Sequence, residues 1–177
     1  MLVLSPPSAT LSPSPRVGAR IPDALLGLRV GPSLRDWLLH DRSITGRVAE
    51  RFGPVRVDVL REGMGRPTAF EAQLLRQPRG GGWWIREIAL CADGRERLRA
   101  RSLVPRSAPG LQRALSGLGA RPLGRLLFIG DRLRPNVQRT GRTTSRTASG
   151  GWMRATRYRI GGEDLLVLET PSDGTPA

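Results

Sequence analysis

Apolar residues recur along this chain at two different spacings, and the points where one gives way to the other mark its elements. Leu34, Trp37 and Leu38 fall at helical intervals just after Pro32-Ser33, so residues 32–40 read as a short helix with a serine cap. A second helical turn or two follows from Ser43 to Phe52 and ends at Gly53-Pro54. The period then drops to two. Val55, Val57 and Val59 alternate with Arg56 and Asp58, giving a strand that runs into Arg61-Glu62-Gly63. Phe70 to Leu75 reads as another strand, and Pro78 to Gly82 as a flexible turn.

From Trp83 to Val104 the pattern is that of a hairpin. Trp83 to Cys91 is strand-like, Ala92-Asp93-Gly94 supplies the turn, and the alternation resumes from Arg97. Alternate residues of a strand share a face, so Arg86 stands in a row with Trp84, Ile88 and Leu90. An unpaired guanidinium in an apolar row costs several kcal/mol, so the row needs an anion, from the protein or from a ligand. After the turn Leu98, Ala100, Ser102 and Val104 share one face, while Arg97, Arg99 and Arg101 face the other way and read as a solvated surface.

Leu111, Leu115 and Leu118 mark a short amphipathic helix closed by Gly119, and Pro122 to Phe128 begins a further apolar segment. Residues 132–151, rich in Arg, Thr, Ser and Gly, read as a loop or irregular edge. Two last strands run from Trp152 to Ile160 and from Leu165 to Thr170. On the final one Leu165 and Val167 share a face with Glu169, a carboxylate ending an apolar row. Arg86 and Glu169 then either pair with each other or with backbone groups, or stand at opposite poles of a pocket for an anionic, partly apolar ligand. Strands joined by short connections, with helices before and between them, predict an α+β domain built on one antiparallel sheet.

Composition narrows the chemistry. All 29 basic residues are arginine, and the net charge is +14. Without lysine there is no Schiff-base chemistry and no Gly-Lys-Thr phosphate loop. A single histidine, His40, and a single cysteine, Cys91, rule out intrachain disulfides and histidine- or thiolate-rich metal centres. No apolar run approaches the roughly 20 residues that span a bilayer. Residues 1–20 read as a disordered Pro/Ser-rich lead-in, 21–170 as one domain and 171–177 as a polar tail, with the cytoplasm as the location. The arginine density also suits a nucleic-acid-binding module, against which stand only eight aromatic residues and no helix-turn-helix, zinc or RNA-recognition signature. A basic surface equally steers small dianions.

The run Trp84 to Gly94 resembles the central hairpin of the chorismate pyruvate-lyase family. Further segments agree in the same order: Arg61-Glu62-Gly63, Arg101 to Pro105, Pro122-Leu123-Gly124-Arg125 with Leu127-Phe128, and Leu165 to Glu169. The resemblance covers roughly residues 22 to 170. It implies a cofactor-free, metal-free lyase that takes chorismate to 4-hydroxybenzoate and pyruvate for the ubiquinone ring. It also implies a six-stranded antiparallel sheet with helices over one side and helical flaps over an enclosed pocket. The partners are then the substrate and its product, with a monomeric protein, no nucleic acid and no membrane insertion. Residue by residue, Arg86 would bind the ring carboxylate with the amides of Ile44 and Leu123, and Glu169 would meet the ring hydroxyl. For the second carboxylate Arg61, Arg125 and Arg154 are candidates.

Three departures accompany the match. Ile44 stands where a relative carries methionine, which matters little to a backbone amide. After Trp152 the family shows adjacent arginines and then a hydroxyl residue, whereas Arg154-Ala155-Thr156 keeps one arginine. The chain ends eight residues past Glu169, which predicts a lighter cover over the site. A non-catalytic relative that binds hydroxybenzoate-like acids fits the same residues.

Overall fold

The computed structural model describes residues 30–172; the lead-in expected over 1–20 and residues 173–177 of the tail lie outside the described residues. Two helices open it, α1 (Pro32–Leu39) and α2 (Ile44–Phe52), followed by β1 (Arg56–Gly65), α3 (Ala69–Leu75) and the hairpin β2 (Trp83–Ala92) and β3 (Arg95–Pro105). Then come α4 (Pro109–Ser116), α5 (Gly124–Leu127), the short pair β4 (Phe128–Ile129) and β5 (Arg132–Leu133), β6 (Val137–Arg146), β7 (Trp152–Ile160) and β8 (Glu163–Pro171). Six strands form one antiparallel sheet in the order β1-β2-β3-β8-β7-β6. At the β2–β3 turn Asp93 and Gly94 both adopt positive φ, 51° and 67°, the conformation that an Asp-Gly hairpin turn requires.

The register fixes which side chains meet. Glu62, Arg86, Ser102, Val167, Thr156 and Arg142 form one row across the sheet, and Val59, Ile88, Ala100, Glu169, Arg154 and Thr144 form the next. Above this face α1 and α2 set Trp37, Leu38 and Ile44 on Ile88, Leu90 and Leu98. Beside them α4 packs Leu111 and Leu115 with Leu118 onto Val104, Leu165 and Tyr158. Each such leucine contributes about 1.5–3 kcal/mol on burial. The N-terminus of α4 has no cap of its own; instead Glu163, from the start of β8, accepts from Gly110 N at 3.0 Å and Leu111 N at 2.6 Å.

Four expectations are corrected. Residues 69–75 are helical, not a strand, because Thr68 and Glu71 form a reciprocal capping box that starts α3. Helices therefore cover both sides of the sheet: α3 sets Ala72 and Leu75 against Trp83, Ile85, Leu103, Leu166 and Leu168 on the face opposite to the other helices. Most of the expected solvated arginine surface is engaged as well, Arg101 by α3 and Arg97 by the Phe52 ring of α2, 4.0 Å from its guanidinium. Arg101 donates its Nε to the buried Glu71 at 2.7 Å and its Nη1 to Glu87, Arg97 is buried, and only Arg99 of the three is exposed. Fourth, 137–146 is a regular edge strand with one register shift between Arg139 and Gly141. Arginines at 139, 142 and 146 blunt that edge, which hid its alternation. Among the described residues no helix is long and apolar enough to cross a membrane.

Candidate active site

One cleft of about 550 Å³ lies between the helix-covered sheet face and the starts of α2 and α5. Its floor is open because the register places small residues, Ala100, Ser102 and Val167, in the middle of the sheet. Arg86, Ile44, Leu123 and Glu169 all line it, so the fold gathers the four sequence candidates from four separate elements. Arg86 and Glu169 sit two strands and one row apart, a Cα separation of roughly 12 Å at ordinary strand spacing and rise.

Arg86 is 2% exposed. Its Nη2 donates to the carbonyls of Gly119 at 2.7 Å and Arg121 at 3.1 Å, which anchors the guanidinium to the α4–α5 connection. Its Nη1 is buried and has no acceptor among the described residues. Burial pulls its pKa down, and the neighbouring Glu62 opposes this only in part. The charge is thus held in place by backbone dipoles with one donor edge left over. A buried donor without a partner costs about 1–3 kcal/mol, a cost that an anionic ligand would remove.

Glu169 does not pair with Arg86. Its Oε2 accepts from Arg154 Nε at 2.6 Å, and both side chains are buried. Arg154 also donates its Nη1 to the carbonyls of His40 at 2.7 Å and Trp37 at 3.4 Å, and its guanidinium lies 5.2 Å from the Trp37 ring. Burial opposes the Arg154 charge, but Glu169 outweighs it and the pKa is raised. Of the arginines named for a second carboxylate, Arg154 lines the cleft, while Arg61 and Arg125 are exposed and do not. The signal for Arg154 was its place on β7 directly opposite Glu169, which only the strand pairing reveals.

Ile44 and Leu123 occupy equivalent places in their elements. Ile44 is the first residue of α2 and Leu123 the N-cap of α5, positions whose N–H groups a helix leaves without an internal partner. The helix starts approach closely: a Cβ on Gly124 would stand 3.1 Å from Ser43 Oγ. Arg42 and Asp131 link the α1–α2 connection to the β4–β5 turn at 3.1 Å above the cleft. Ala155 points the other way, into the α3 side of the sheet, and stands outside the cleft lining. Cys91 lies outside the lining, and burial pushes its thiol pKa up. Among the described residues no group of three or more His, Cys, Asp or Glu could hold a metal ion.

What the fold and the cleft define is an α+β protein whose six-stranded antiparallel sheet floors a cleft lined by Arg42, Arg86 and Arg154. Sequence comparison makes this more specific. A family model described as Chorismate lyase matches residues 24–171. Proteins named chorismate pyruvate-lyase from Escherichia coli O1:K1 and from Shigella boydii serotype 18 are each 38% identical over 139 residues, 78% of this chain and 81% of theirs. The chain belongs to the chorismate lyase family. Among solved structures, PhnF from Mycobacterium smegmatis is 12% identical with a TM-score of 0.46, covering 78% of this chain and 67% of that one. The C-terminal domain of the histidine utilization repressor from Pseudomonas syringae is likewise 12% identical with a TM-score of 0.46, covering 70% and 94%.

Proposed function

We propose that this chain is a lyase that converts chorismate to 4-hydroxybenzoate and pyruvate, without a cofactor, as a supplier of the ubiquinone ring. Family membership supports the reaction class. The observation that carries the site assignment is the buried, unpartnered Nη1 of Arg86 at one end of a cleft whose other end is Glu169. In this reading the ring carboxylate lies against Arg86 and the amides of Ile44 and Leu123. Arginine suits the place because its planar donor fork matches two carboxylate oxygens.

In the reaction the ether bond to the enolpyruvyl arm breaks and the hydroxyl-bearing ring carbon loses its proton. The departing arm gains a proton to become pyruvate, and the ring becomes aromatic. Little chemical force is needed, so catalysis comes from holding the reactive conformer in a preorganised field. Arg154 occupies Oε2 of Glu169, which leaves Oε1 to accept from the ring hydroxyl. The starts of α2 and α5 act as the flaps that enclose the ligand, with the Arg42–Asp131 bridge joining the α1–α2 connection to the β4–β5 turn.

The test is direct: purified protein is incubated with chorismate and the products are separated by chromatography. Equimolar 4-hydroxybenzoate and pyruvate support the reading, while 3-hydroxybenzoate or unchanged chorismate sinks it.

A further inference from the structure

Chorismate carries two carboxylates, and the proposed function gives only the ring carboxylate a partner; a place for the second rests on that same function. The enolpyruvyl arm is attached to the ring carbon next to the one that bears the hydroxyl. With the ring carboxylate at Arg86 and the hydroxyl at Glu169, the arm therefore lies at the Glu169 end of the cleft. Two flanks border that end. One is formed by Ile88, Leu90 and Leu98, which offer no donor, and a carboxylate buried there would cost several kcal/mol. The other is β7, where Arg154 stands opposite Glu169, and Tyr158, further along the same strand face and opposite Leu165, lines the cleft with its phenol within electrostatic reach of both Glu169 and Arg154.

That second flank holds more donors than the protein uses. Arg154 makes its bonds through Nε and Nη1, so its Nη2 donates to no described residue. Tyr158 is 4% exposed, and its hydroxyl makes no hydrogen bond to a described residue. Behind them stand Arg139 and Arg142, whose Nε atoms, like Thr156 Oγ1, are buried with no hydrogen-bond partner among the described residues. Arg139 and Arg142 share a single carboxylate, Asp41, at 2.9 and 2.8 Å. Three guanidinium groups at this corner thus face two carboxylates, Asp41 and Glu169, and the excess charge is positive. Arg42 is the remaining cation of the lining, but it is already paired with Asp131 and its side chain is 66% exposed.

We infer that the corner formed by the Tyr158 hydroxyl and the open Nη2 edge of Arg154 receives the carboxylate of the enolpyruvyl arm. Arg142 and Arg139 act through Arg154 by setting the field behind it. The corner distinguishes the substrate from the product, because 4-hydroxybenzoate has no arm and leaves these donors unused. Tyr158 is then a substrate-positioning residue for the dianion and has no part in holding the ring.

Tyr158→Phe removes one hydroxyl and keeps the ring in its apolar packing, which makes it the variant of choice. Steady-state kinetics on chorismate should show kcat/KM down about tenfold, mainly through KM, the loss typical of one hydrogen bond to a charged group. Calorimetric titration with 4-hydroxybenzoate should give a Kd within about twofold of the unsubstituted protein. An unchanged kcat/KM overturns the inference, and so does a product affinity that falls by the same factor. A wild-type protein that releases no 4-hydroxybenzoate from chorismate instead overturns the proposed reaction, and the inference with it.

Discussion

Arg154 and Glu169 face each other across β7 and β8 and form a buried ion pair, with Nε 2.6 Å from Oε2. The pair lines the cleft and is tied, through Arg154 Nη1, to the carbonyls at the end of α1. Its two members serve different ends: Glu169 presents a carboxylate to the cavity, and Arg154 keeps that charge from standing alone in a buried position.

Removing one partner should therefore cost more than removing both charges. Arg154→Met leaves Glu169 unpaired and is expected to lower stability by about 3–5 kcal/mol, read from the urea midpoint. The Arg154→Met/Glu169→Gln double variant should recover at least about 1 kcal/mol of that loss. A double variant less stable than Arg154→Met alone would contradict the pairing.

Arg86 and Glu169 should separate by kinetic signature. Arg86→Ala is expected to lower kcat/KM on chorismate by about 100-fold or more and to abolish measurable 4-hydroxybenzoate binding, since it deletes the charged anchor. Glu169→Gln keeps the shape and an acceptor, so it should reduce kcat more than it raises KM. Wild-type kinetics for Arg86→Ala would remove the basis of the site assignment.

Glu163 caps a helix that it does not belong to. Glu163→Ala leaves the first N–H groups of α4 without their acceptors and should cost about 1 kcal/mol. In a thermal melt this appears as a Tm lower by about 2–5 °C. Turnover at 25 °C should stay close to wild type, because Glu163 lies outside the cleft lining.

His40 gives the fold a pH dependence of definite sign. Burial first, and then the charges of Arg47 and Arg154, lower its pKa from the ordinary 6.5, with Asp36 opposing. Below pH 6.5 the unfolded chain thus takes up a proton before the folded one does, and stability falls with pH until the lowered folded value is passed. Above 6.5 the neutral ring, which accepts from Arg47 Nη1 at 3.0 Å, contributes in full. Urea midpoints measured from pH 8 to pH 5 should show this slope, and His40→Gln should flatten it. An equal slope in the variant would place its origin elsewhere.

Much of the fold was legible because local patterns carried it. The Asp-Gly turn with flanking alternation placed β2 and β3, and leucines four and three apart placed α4. The segments that misled were those whose partners are distant in sequence. Residues 69–75 look strand-like by hydrophobicity, while the Thr68/Glu71 capping box was the overlooked local signal. Residues 137–146 lack apolar alternation because an edge strand presents arginines to solvent and to the α1–α2 connection.

The order of residues was enough to establish that Arg86 and Glu169 are charges in apolar rows, since side-chain alternation is a property of the strand and needs no neighbour. Family likeness within the sequence attached a substrate class to those charges. Who partners whom came from the folded arrangement. Strand order brings β7 beside β8, so that Glu169 meets Arg154 and is withheld from Arg86. The connection after α4 delivers two carbonyls to Arg86 Nη2 and leaves Nη1 open. Pairing energies depend on distance and burial, and those follow from register and packing rather than from position along the chain.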